Sequence, residues 1–63
     1  MNKIKEQRIK MGLTVRELSE KSGVASSYIS TLENDINGTS NPTKEVMTKI
    51  AYSLNSSVPK IFF

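Results

Sequence analysis

Thr14-Val15-Arg16-Glu17-Leu18-Ser19 and, past a glycine at position 23, Val24-Ala25-Ser26-Ser27-Tyr28-Ile29-Ser30-Thr31-Leu32-Glu33 are the stretches that decide how this chain folds. Thr14 and Glu17 have the spacing of a capping box, in which the Thr hydroxyl accepts from the third helical amide and the Glu reaches back to the cap. A helix is therefore expected from Thr14 to Ser22, with Val15 and Leu18 turned inward. Gly23 is the residue that most easily takes the left-handed stop, and only a tight turn then fits before Val24. The next helical pattern runs over about residues 26–34, with Ile29 and Leu32 three apart and Tyr28 on the adjoining edge. Its outer face is almost entirely hydroxyl.

The same signals extend in both directions. Upstream, Ile4, Arg8 and Met11 recur at helical spacing with Ile9 close by, and Gly12 supplies a stop, so a first helix is expected over about residues 3–11. Downstream, Asp35-Ile36-Asn37-Gly38-Thr39-Ser40 is rich in turn formers and reads as a surface loop. Asn41-Pro42 opens a fourth helix, since Asn is a favoured N-cap and Pro suits the first helical position. Val46, Met47, Ile50, Ala51 and Leu54 draw its apolar stripe. Pro59 opens a last short turn that lays Ile61 and Phe62 onto the core. The expected class is all-α: about five short helices in a single domain spanning residues 1–63.

Composition narrows the function. With 63 residues and neither Cys nor His, disulfides and the usual zinc sites are excluded, leaving packing, capping or self-association to hold the fold. The six carboxylates are scattered without a metal or acid–base pattern, so no enzyme, metal or cofactor is expected. The basic N-terminus has no long apolar run behind it, and the apolar cluster at Ile61–Phe63 is far short of the roughly 20 residues that span a bilayer. The expectation is a cytoplasmic protein with no membrane partner. A formal charge of +3 favours polyanions without identifying one.

Two short helices joined by a glycine turn, the second exposing small hydrogen-bonding groups, suit the major groove of DNA, which admits one helix. Gly12-Leu13-Thr14-Val15-Arg16-Glu17-Leu18-Ser19, Gly23-Val24-Ala25-Ser26-Ser27-Tyr28-Ile29-Ser30-Thr31-Leu32-Glu33, Asn41-Pro42 and Lys49-Ile50-Ala51 together resemble the Cro and phage-repressor type helix-turn-helix family, also called the xenobiotic-response-element family, over essentially the whole chain. The resemblance implies a lambda-repressor-like bundle of five helices, with helices two and three forming the helix-turn-helix, and a transcriptional regulator, a repressor in function, on double-stranded operator DNA. It pairs Arg8 with Glu33 as a structural ion pair tying helix one to the end of helix three, where a bidentate fork suits partial burial.

The expected DNA contacts are Thr14, Arg16, Ala25, Ser26, Ser27, Tyr28, Ser30, Thr31 and Asn34, with Lys10 and Lys44 on phosphates. This chain departs from the family in lacking long amide or cationic side chains on helix three: residues 23–37 carry Glu33 and Asp35 and no cation. Favourable charge must come from Lys3, Lys5, Lys10, Arg16, Lys21 and Lys44. Gln7 and Ser22 stand where the family favours apolar or small residues, and Ala25 replaces the usual Ser cap. Operator geometry implies a homodimer, with Tyr52 and Phe63 as the expected interface residues. The competing reading is an interaction module that keeps the fold and pairs with a related regulator without binding DNA.

Overall fold

Backbone stops set the lengths of the helices in the computed structural model, which describes residues 2–35 and 41–63. The first helix, α1 (Ile4–Lys10), ends at Met11. Gly12 follows at φ 72°, its amide bonding to the Ile9 carbonyl at 2.9 Å while Leu13 N–H bonds to the Arg8 carbonyl at 3.0 Å. This is the paired closure of a Schellman stop, and it turns Leu13 back onto the core. The second helix, α2 (Val15–Ser22), begins at the capping box read from the sequence: Glu17 N–H donates to Thr14 Oγ1 at 3.0 Å, and Thr14 N–H donates to Glu17 Oε1 at 2.8 Å. Gly23, at φ 74°, closes it with one bond to the Ser19 carbonyl.

Val24 fills the turn at 7% exposure, and α3 (Ser26–Glu33) starts at once from Ala25, which caps without a side-chain bond. The fourth helix, α4 (Lys44–Ser53), starts two residues later than Asn41-Pro42 implied. Thr43 is its cap, with Val46 N–H donating to Thr43 Oγ1 at 3.2 Å. Both Asn41 and Thr43 are capping residue types. The Thr43 choice leaves Pro42 outside the helix and places Glu45 in the first turn, where the helix dipole favours a carboxylate. Asn55, at φ 52°, ends α4 through a second Schellman pair, with Ser56 N–H on the Ala51 carbonyl at 2.9 Å and Asn55 N–H on Tyr52 at 3.0 Å. The last helix, α5 (Val58–Phe62), begins one residue before Pro59.

Each helix and the Val24 turn contribute to one core: Ile4, Leu18, Val24, Ile29, Leu32, Ile50, Ala51, Leu54 and Ile61. Leu18, Val24, Ile29 and Leu32 of the helix-turn-helix are thus buried together, whereas Val15, also expected to face inward, is only partly buried against them. Phe62 is half-buried against this core, whereas Ile9 is 59% exposed, so α1 faces inward through Ile4, Arg8 and Met11 alone of the residues first singled out. In space α2 packs on α3 and α4, α4 on α5, and α1 on α3 and α5. Of the expected loop of residues 35–40, residues 36–40 lie outside the described residues. No helix among the described residues is long and apolar enough to cross a membrane.

A Cβ built at Gly23 meets no atom within 4 Å, so substitution there is opposed by the left-handed backbone and not by crowding. Gly23→Ala is expected to cost about 1–2 kcal/mol, and Gly23→Asn less, because Asn visits this region more readily. Urea midpoints of the two variants check this; equal midpoints for Ala and the parent chain would contradict it.

Candidate nucleic-acid interface

The tilt of α3 is fixed at both ends. At its start, Ser22 is buried to 9% exposure and its Oγ accepts from Val24 N–H at 3.2 Å, holding the turn closed. At its end, Glu33 receives a fork from Arg8: Nε to Oε2 at 2.7 Å and Nη2 to Oε1 at 3.1 Å. The third arm of the guanidinium, Nη1, donates to the Leu13 carbonyl at 2.8 Å. The two side chains are only 11% and 5% exposed. One side chain therefore joins α1, the α1–α2 loop and the last residue of α3. The Glu33 hydrogen bonds, helped by its charge, raise the Arg8 pKa above its ordinary value against the opposing effect of burial. A raised cation pKa means that the stabilisation is complete below the ordinary guanidinium range and fades only as pH climbs through the raised value. Deprotonation of Arg8 therefore does not open the fork near neutrality.

This pairing takes Glu33 out of the exposed face of α3. With Ile29 and Leu32 buried, Ser27 and Thr31 fall on the opposite side of the helix, flanked by Tyr28, 36% exposed, and the half-buried Ser30. Ala25 and Ser26 are exposed at its start. Two of the hydrogen-bonding groups turn back on the helix: Thr31 Oγ1 donates to the Ser27 carbonyl at 3.0 Å, and Asn34 Nδ2 to the Ser30 carbonyl at 2.9 Å. The hydroxyls of Ser26 and Ser27 have no hydrogen bond among the described residues.

The remaining expected contacts are distributed over other helices. Thr14 accepts from the backbone in its cap, which leaves its hydroxyl proton available. Arg16, on the first turn of α2, lies 3.8 Å from Glu20 with both side chains largely exposed, a pairing weak enough for a phosphate to displace. Lys10 and Lys44 are exposed at the end of α1 and the start of α4. Among the described residues no hydrogen bond or ion pair joins either lysine to α3. Tyr52 and Phe63 are 75% and 89% exposed. Phe63 borders an open groove of about 330 Å³ formed with Asn2, Lys3, Glu6 and the rest of the tail.

Sequence reasoning missed three polar side chains that position these elements. Gln7 Nε2 donates to the Leu54 carbonyl at the end of α4 at 3.1 Å, and Asn2 Nδ2 donates to the Leu32 carbonyl in the last turn of α3 at 2.9 Å. Ser22 is the third. For Gln7 a signal existed, since it lies three from Ile4 and four from Met11 and so completes the inward stripe of α1.

Residues 4–61 match the helix-turn-helix family. The chain belongs to the Cro-type helix-turn-helix family. It is 38% identical over 56 residues to the HTH-type transcriptional regulator SinR of Bacillus subtilis (strain 168), a stretch covering 89% of this chain and 49% of that protein. The same figures hold for SinR of Bacillus licheniformis. The chain spans about half the length of the curated relatives it matches. No solved structure gives a significant match. Family membership and the five-helix architecture agree with the fold expected from the sequence, and the Arg8–Glu33 pair implied by the resemblance is formed.

Removing one partner of this pair strands the other. Arg8→Met, which leaves the Glu33 carboxylate nearly buried without its cation, is expected to cost about 3–5 kcal/mol. The double variant Arg8→Met, Glu33→Leu is expected to regain much of that loss. Urea denaturation of both variants is the check. A single variant within about 1 kcal/mol of the parent would mean that the pair behaves as a solvated surface contact.

Proposed function

We propose that this chain binds double-stranded DNA in a sequence-specific manner and regulates transcription, placing α3 in the major groove with α2 lying across the backbone. The observation that carries this reading is the presentation of α3: its tilt is held by the Ser22 turn and the Arg8–Glu33 fork, and its exposed face is left free of charge. The family relationship and the transcriptional-regulator relatives support it. Ser26, Ser27, Tyr28, Ser30 and Thr31, with Ala25 and Asn34 at the two ends of α3, face base edges and nearby phosphates in this reading. Thr14, Arg16, Lys10 and Lys44 hold phosphates.

We further propose a homodimer on a pseudo-palindromic operator, each copy reading one half-site with centres about 34 Å apart. Tyr52 and Phe63 are the residues offered to the second copy. A dimer doubles the phosphate contacts available to a chain whose net charge is only +3. Occupying a promoter in this way blocks polymerase sterically, which makes repression the simplest mode of control. The setting that this requires is the cytoplasm.

Selection from a randomised duplex library tests the reading. The expected result is a two-fold motif whose affinity falls linearly with salt on logarithmic axes. Arg16→Gln should lower the slope by about 1, and Ser27→Ala, Thr31→Ala should lose sequence preference. No enrichment with a folded protein would refute DNA recognition and favour a module that pairs with a related regulator.

A further inference from the structure

We propose that α3 reads thymine methyl groups, through Thr31 with Tyr28 beside it, and that its operator carries A·T pairs where those residues dock; this rests on the DNA-binding reading above. In the major groove guanine shows two acceptors and is matched by a side chain with two donors, adenine is matched by an amide, and thymine is matched by apolar contact with its C5 methyl. Residues 24–35 contain no Arg, Lys, His or Gln. The face of α3 therefore lacks a long two-donor side chain for guanine.

The donors that it has are partly spent. The Thr31 hydroxyl proton is used on the Ser27 carbonyl at 3.0 Å, and an Asn34 amide proton on the Ser30 carbonyl at 2.9 Å. What Thr31 retains is its γ-methyl and the lone pairs of its oxygen. An A·T pair presents the complement of both at one step, a thymine methyl for the methyl and an adenine amine for the lone pairs. A G·C pair offers an amine but no methyl. Tyr28, exposed and one turn before Thr31, places a further apolar group beside it. Ser26 and Ser27, whose hydroxyls can both donate and accept, add affinity with little choice between bases.

The test compares thymine with uracil, which differ by the methyl alone. Duplexes recovered by selection from a thymine-containing random library are resynthesised with deoxyuridine in place of each thymine in turn, and both forms are titrated with the full chain. Affinity is expected to fall about fourfold for each methyl that the helix contacts. Thr31→Ser, which keeps the hydroxyl and removes the methyl, should bring the thymine-to-uracil ratio at its position close to one. Thr31→Val, which keeps a methyl and removes the hydroxyl, should preserve that ratio whatever its effect on overall affinity. Each ratio compares two duplexes on one protein, so a loss of stability in a variant cancels. Guanine at the contacted positions, or uracil ratios near one throughout, overturns the proposal while leaving DNA recognition intact. Failure to recover any preferred duplex removes both.

Discussion

The fork between Arg8 and Glu33 is the constraint on which the rest of the structure depends. Two nearly buried charges are costly to desolvate, and such a pair is favourable only where the geometry is good and the remaining protons find acceptors. Here the guanidinium makes two bonds to the carboxylate and a third to the Leu13 carbonyl, so the charge is matched and three segments are joined at one point. The pair supplies orientation more than net stability. An apolar replacement could fill the same space, but it would not fix the angle at which α3 leaves the core.

Around that fork, α1 and the residues leading into it act as a common cap. Helices end with carbonyls that have no partner inside the helix. Asn2 donates to Leu32 in the last turn of α3, Gln7 to Leu54 at the end of α4, and Lys3 N–H to Ile61 in α5 at 2.8 Å. The C-terminal ends of three helices thus converge on one short segment. Their apolar faces meet in the core formed by Ile4, Leu18, Ile29, Leu32, Ile50, Leu54 and their neighbours. The functional consequence is directional: with its end tied to α1 and its start held by Ser22 and Gly23, α3 can show solvent only the side carrying Ser27 and Thr31. Glu33, the one acidic residue within α3, is neutralised in the same arrangement, so the face that meets a polyanion carries no opposing charge from the helix itself.

The parts of this arrangement that were legible in the sequence are those set by local chemistry. The Thr14–Glu17 box, Gly12 and Gly23 bounded α1 and α2 to within about a residue, because each signal acts over three or four residues. The start of α4 was misplaced because Asn41 and Thr43 are both good caps and local preference does not choose between them. Arg8 and Glu33 could be paired through family spacing, since both partners are charged side chains. The partners of Asn2, Gln7 and Ser22 were not legible, even though Gln7 lies on the inward stripe of α1, as each bonds to a backbone group and a backbone group has no identity in the sequence. The outward face of α3 followed from the spacing of Ile29 and Leu32, whereas the inward turn of the Thr31 hydroxyl depends on its rotamer.

The central claim is that α3, held at a fixed tilt, is the surface that meets DNA. Amide chemical shifts of the labelled chain, followed during titration with a duplex recovered by selection, test it most directly. The account predicts the largest changes at residues 14–16 and 25–31, with the amides of Ile50, Ala51 and Leu54 in the core nearly unmoved. Changes confined to Tyr52 and the tail at residues 58–63, with the α3 amides silent, would contradict it.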